Sequence, residues 1–160
     1  MEATDHATQL GKVVAHLLNL EFLLRVYLYE RVEMLKDQKF PYGVPIESLK
    51  VGDSVPKNAI TSFDSLGQLI QKYNAHIATE SPGLVVSKDL VALRDAIAHG
   101  RVSAVVESEH LHLVKFSDPR RGPLVVAVSE ELNPSWFEHR IRWTRDEVMK
   151  VGRALGAWIA

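Results

Sequence analysis

The chain contains no cysteine, which excludes disulfides, thiolate nucleophiles and cysteine-ligated zinc and fits a reducing compartment. No apolar run approaches the roughly 20 residues of a membrane span. The first residues, MEATDHATQ, lack the basic patch and apolar run of a secretory signal. The expectation is a cytoplasmic protein with no membrane partner. A dominant charge of one sign is missing too: 19 Lys and Arg against 20 Asp and Glu leave a formal net charge of -1. That excludes the blanket positive potential of a protein that coats nucleic acid, so any RNA contact must be local. There is no phosphate-cradling glycine loop, no nucleophile elbow and no His-Glu-x-x-His helix, which excludes nucleotide-hydrolysing and zinc-protease chemistry by those routes. No cofactor is expected, and there is no solenoid repeat or low-complexity segment.

What is present reads as one domain over residues 1–160, mainly α, an antiparallel helical bundle carrying a small β element. At 8–38, apolar residues Leu10, Val13, Val14, Leu17, Leu24, Leu28, Val32 and Leu35 recur at helical spacing and predict a long first helix. Leu20, Leu23 and Tyr27 widen that stripe sideways. Either a second chain or a loop of the same chain has to cover them. Residues 39–60 hold Pro41, Pro45, Pro56, Gly43 and Gly52 and predict a long connection, with at most a helical turn near Ile46 to Leu49. A second helix at 61–78, capped by Thr61 or Ser62, presents Phe63, Leu66, Ile70, Tyr73 and Ile77.

Ser87 reads as the cap of a third helix at 87–99, with Leu90, Leu93 and Ile97 on its apolar face and Gly100 as its stop. Three β-rich runs follow within 101–129, at Val102 to Val106, Leu111 to Phe116 and Leu124 to Val128. They predict an antiparallel hairpin or meander inserted between the third helix and the C-terminal one. Residues 134–160 are helical, opened by Asn133 and Pro134. Thr144 with Glu147 looks like a capping box and predicts a break there. Val148, Val151, Leu155 and Ile159 face inward after it, with Gly152 allowing close approach.

Two charged residues fall where apolar ones belong. Glu21 projects into the stripe of the first helix beside Leu17, Leu24 and Leu28, where an unpaired carboxylate is costly. Arg94 sits beside Leu90, Leu93 and Ile97 on the third helix and needs a carboxylate or phosphate. Glu21 and Arg94 are therefore expected to approach each other; the open alternative is a local Glu21–Arg25 pair at i,i+4. His99 at the helix end is either a capping residue favoured by the dipole or a group that moves protons. Together with Arg94 one turn back, it sets a bidentate phosphate binder beside a residue that titrates near neutrality. Asp95, four residues before His99, faces the imidazole and also adds negative charge that opposes phosphate.

The stretch LRDAIAHG, with Arg94, Asp95 and His99, resembles the motif of HEPN domains, small helical bundles in which an Arg, a polar residue and a His close a late helix. The first-helix segment NLEFLLRVYL is also similar to that family, and the likeness covers most of 8–100. The resemblance implies a HEPN-like fold and metal-independent RNA cleavage at a two-fold dimer interface. In that scheme Arg94 stabilises the phosphate and His99 is general acid or base on the ribose 2′-hydroxyl. It also implies roles in stress response, toxin–antitoxin pairing or phage defence, with an antitoxin or other protein as a candidate partner. This sequence departs from the pattern at Arg101, where many toxin members have Tyr, and at Asp95, where Asn is more usual.

Arg101, Lys115, Arg120 and Arg121 form either a basic edge guiding RNA to the motif or a solvated turn. His110 and His112, with Asp118 or His139, are a weaker metal-ligand pattern, and no metal is expected. Trp136, Phe137 and Trp143 read as core or interface residues rather than base-stacking platforms. The functional expectation is a HEPN-like homodimeric endoribonuclease. The alternative is a non-catalytic HEPN-like module that binds RNA, a nucleotide or a protein partner.

Overall fold

The structure, a computed structural model, describes residues 3–33, 48–104 and 110–156. Among them the chain is mainly helical with one small sheet. α1 is Ala3–Tyr27, continued by one π-helical turn at Leu28–Val32. α2 is Leu66–Glu80 and α3 is Leu90–His99. Strands β1 (Arg101–Ala104), β2 (Leu111–Phe116) and β3 (Val126–Leu132) precede α4, Pro134–Ala154. No helix among the described residues is long and apolar enough to cross a membrane. The end of the expected first helix, the 39–47 part of the long connection, Val105 and Val106 of the first β run and Ile159 lie outside the described residues.

The chain divides into two compact units, residues 1–18 with 87–148 and residues 19–86 with 149–160. In the first, the strands form an antiparallel meander in the order β1-β2-β3. Register pairs Leu113 with both Val102 and Glu130, and Leu111 with both Ala104 and Leu132. Directly opposed residues share a face, and on this one Leu113 and Leu132 pack on the core while Val102 and Ala104 of β1 are exposed. Ala96, Leu113, Leu132 and Phe137 are buried together there, with Leu10, Trp136 and Ile141 against them.

β3 begins later than the sequence predicts and runs on through Glu130 to Leu132. The physical reason is Glu130. It stands on the core-facing side of the strand, where a carboxylate breaks the apolar alternation, yet it accepts hydrogen bonds from Trp136 Nε1 and from Arg140 at 3.2 Å. A half-buried carboxylate held by two donors is tolerable there.

The second unit buries Leu20, Leu24, Tyr27 and Leu28 of α1 and the following turn, and Leu66, Leu69, Ile70, Tyr73 and Ile77 of α2. The Tyr27 and Tyr73 rings meet edge to face at 4.7 Å. Tyr27 shares a hydrogen bond of 2.8 Å with His76 Nδ1, and Tyr73 donates to the Leu84 carbonyl. Burial pushes the Tyr27 phenol above its ordinary value. Leu20 and Tyr27, read from sequence as a sideways extension, are thus buried within this chain, with no second copy needed to cover them.

Helix boundaries differ from the sequence reading at three points. α2 starts at Leu66 with Ser65 as its cap: Ser65 Oγ accepts the Gln68 N–H and Gln68 Oε1 accepts the Ser65 N–H. Thr61 instead closes a turn in which Asn58 Oδ1 accepts its N–H, and Phe63, outside the helix, is fully exposed. α3 is preceded by Asp89, whose N–H bonds to Ser87 Oγ, so Ser87 shapes the approach without capping the helix. α4 runs unbroken through Thr144 and Glu147. Both are buried, and both serve tertiary bonds: Thr144 Oγ1 meets His16 Nδ1 at 3.0 Å, and Glu147 accepts the Ser87 N–H at 3.0 Å. A capping-box pattern marks a helix start only where those side chains have no better partner.

Candidate functional site

The candidate site is the C-terminal end of α3, built within the first unit. Leu90, Leu93 and Ala96 bury one face of the helix. The opposite spacing leaves Arg94 half-buried, Asp95 half-buried and His99 exposed. Gly100 ends the helix, though for a reason the sequence did not reveal. Its φ of -74° is ordinary for any residue. What requires glycine is crowding: a Cβ there would lie 2.3 Å from the Ala96 carbonyl oxygen and 2.6 Å from Leu113 Cδ1. The backbone thus turns directly from α3 into β1 against β2. Gly100→Ala is expected to cost about 1–3 kcal/mol, as overpacking does, read as a lower denaturation midpoint with unchanged slope. A variant as stable as the parent would contradict the crowding.

His99 Nε2 lies 3.6 Å from Asp95 Oδ1, one helical turn back. Asp95 also takes a direct ion pair from Lys115 on β2. Register explains how Lys115 arrives: it opposes Val128 on the core-facing side of the sheet, the side on which α3 packs. The Lys115 hydrogen bond, and then the charges of Lys115, His99 and Arg94, hold the Asp95 carboxyl below its ordinary value against some desolvation. The repulsion expected between Asp95 and a phosphate is therefore largely cancelled by Lys115. Arg101 NH1 donates to the His99 carbonyl at 2.9 Å and so closes the helix end. At this helix end Lys115 pairs with Asp95, Arg101 bonds to the His99 carbonyl, and the Arg94 charge also acts on Asp95.

A depressed carboxyl stabilises the fold above its unfolded value and loses that contribution as pH falls through the folded value. Asp95, and likewise Asp64, lowered by its Lys72 hydrogen bond, should keep their pairs at neutral pH and lose them below the ordinary carboxylate value of about 3.9. A carboxyl-carbon NMR titration reads this directly. Lys115→Met should move the Asp95 midpoint upward, and an unmoved midpoint would contradict the pairing.

The other expected residues divide. Glu21 makes an ion pair with Arg25 at 3.6 Å, and Arg25 also donates to the Asp64 carbonyl. Arg120 turns back on Asp118, with bonds of 3.1 Å from both Nε and NH2. The Arg121 backbone lies in the same turn, Pro119–Arg121, and its side chain is outside the described part. Of the basic edge, Arg101 and Lys115 reach α3. His112 bonds to Ser129 at 2.9 Å, and His110 precedes β2, so the two do not share a strand face. Among the described residues no group of three or more His, Cys, Asp or Glu is placed to hold a metal.

Sequence reasoning missed the stacking on α4. The Arg140 guanidinium stands 5.6 Å from the Trp136 ring centre and 5.5 Å from that of Trp143. Phe137 is core, as expected, and Trp136 packs against that core. The i,i+4 spacing of Trp136, Arg140 and, three residues on, Trp143 was the available signal. No protein-family model, curated protein or solved structure matches the chain.

Proposed function

We propose that this chain is a HEPN-like homodimeric endoribonuclease that cleaves RNA without a metal, through Arg94 and His99. The observation that carries the reading is the open end of α3. There an exposed imidazole, tied to Asp95 at 3.6 Å, sits one turn after an Arg whose neighbouring carboxylate is already neutralised by Lys115. In this reading Arg94 stabilises charge developing on the phosphate, and His99 exchanges a proton with the ribose 2′-hydroxyl or the leaving oxygen. Asp95 orients the ring as a positioning residue. Arg101, Arg120 and Arg121 guide the RNA, and Glu21 is a supporting residue. A second copy supplies the second motif that such a cleft needs, and the setting is stress response, toxin–antitoxin pairing or phage defence.

The test is incubation of purified protein with RNA in EDTA. Wild type should cut, and Arg94→Ala and His99→Ala should not. Equal cleavage by all three, or by none, would sink the proposal. A second reading, a non-catalytic HEPN-like module binding RNA, a nucleotide or a protein partner, draws on the half-burial of Arg94, which suits a structural guanidinium. It predicts ligand binding without cleavage.

A further inference from the structure

α4 carries two lines of chemistry that the motif does not use. One is mainly basic: Arg142 and Arg145 line a groove of about 360 Å³ together with Lys12 of α1, Phe137, Ile141 and a single carboxylate, Glu138. The other is aromatic: Trp143, with His139 one turn before it, lines a neighbouring groove of about 640 Å³ whose far wall includes Asp89 at the start of α3. Arg142 lines both.

The aromatic line is built in place. Arg140 stands against Trp143 and Trp136, and it is itself fixed by Glu130, which also accepts from Trp136 Nε1. Trp143 is therefore held in one orientation before any ligand arrives, which lowers the ordering cost of binding. The cations of the basic line are loosely engaged. Arg142 pairs with Glu138 and Arg145 with Asp146, but all four side chains are more than half exposed. Such surface pairs contribute little and exchange readily for a phosphate. Lys12 Nζ reaches only as far as the amide of Gln9, at 3.4 Å.

A groove of cations that follows a phosphate backbone, beside an aromatic ring on which a base can stack, is the arrangement that holds single-stranded nucleic acid. We infer that this face of α4 binds a single-stranded RNA segment, with phosphates on Lys12, Arg142 and Arg145 and one base stacked at Trp143. Asp89 and Asp146 beside the ring are acceptors for base N–H groups, so a base rich in edge donors, such as guanine, suits the groove. Asp89 and His99 mark the two ends of α3, ten residues and about 15 Å apart. The site is thus a substrate-holding surface separate from the cleaving end. As an RNA site it rests on the ribonuclease reading, although the binding itself stands alone.

The test uses a fluorescent 2′-O-methyl RNA 12-mer, which resists cleavage, in EDTA, followed by anisotropy across a salt series. Wild type should bind the single strand, and the same sequence as a duplex should bind at least ten-fold more weakly. Trp143→Leu should weaken binding about ten-fold. Arg142→Gln with Arg145→Gln, both on exposed side chains, should weaken it and reduce the salt slope by about 1.4, at about 0.7 per phosphate contact. No binding by wild type, equal binding of the duplex, or a double variant indistinguishable from wild type would overturn the inference. Should Trp143→Leu fail to fold, the double variant and the duplex comparison still decide. Strand binding without cleavage of ordinary RNA would sink the ribonuclease reading and leave this site standing; cleavage with binding insensitive to these residues would do the reverse.

Discussion

Arg94→Ala and His99→Ala are each expected to slow RNA cleavage by about 10²–10⁴-fold while the protein stays folded. The two losses have different origins. In the proposed mechanism Arg94 acts on charge, and a guanidinium removed from beside a phosphorane could not be replaced by water at the same distance. In the same proposal His99 acts on proton transfer, so its loss should also flatten the dependence of rate on pH. The residues form one unit on one helix end, so the double variant should be little worse than the slower single variant. Arg94→Lys separates roles further: it keeps the charge but loses the planar fork, and should recover only part of the rate. If the two single losses multiply fully in the double variant, Arg94 and His99 do not act on one transition state.

Phe137→Ala should have the largest effect on stability, about 3–5 kcal/mol for a buried aromatic emptied to a methyl. Phe137 is 2% exposed and packs with Ala96, Leu113 and Leu132, and its ring meets Trp136 edge to face at 5.1 Å. Against a total stability of roughly 5–15 kcal/mol this is a large share. The melting temperature should fall by roughly 6–20 °C at about 2–4 °C per kcal/mol. Ala96 belongs to the same cluster and lies between Arg94 and His99 on α3, so the cavity opens directly beneath the motif. Loss of cleavage should then track loss of structure on warming. Phe137→Leu, which keeps most of the volume, should recover more than half of the stability; a Phe137→Ala cost under about 1 kcal/mol would contradict this core.

The parts of the fold legible in the sequence are those where one residue type has one use. Leu90 and Leu93 at helical spacing, ended by Gly100, marked α3 and its final His99, and the β-rich runs marked the meander. Where a residue has several uses the reading went astray. Thr144 and Glu147 fit a cap by type, but buried in mid-helix they bond to His16 and Ser87, partners 128 and 60 residues away in sequence. Glu130 concealed the second half of β3, because nothing local announces that Trp136 and Arg140 will receive its charge. The candidate site shows the same division. Arg94, Asp95 and His99 were visible because a helix sets their spacing, whereas Lys115 joins Asp95 only through the β2 register. Gly100 was legible as a stop, but the crowding by Leu113 that requires glycine there is a tertiary fact.

The most direct measurement of the central claim is an experimental structure of the assembled protein with an uncleavable single-stranded RNA bound. The account predicts two copies facing one another, with one phosphate within about 2.6–3.2 Å of both an Arg94 guanidinium and a His99 ring. Two motifs on distant surfaces, or an RNA that bypasses the end of α3, would contradict it.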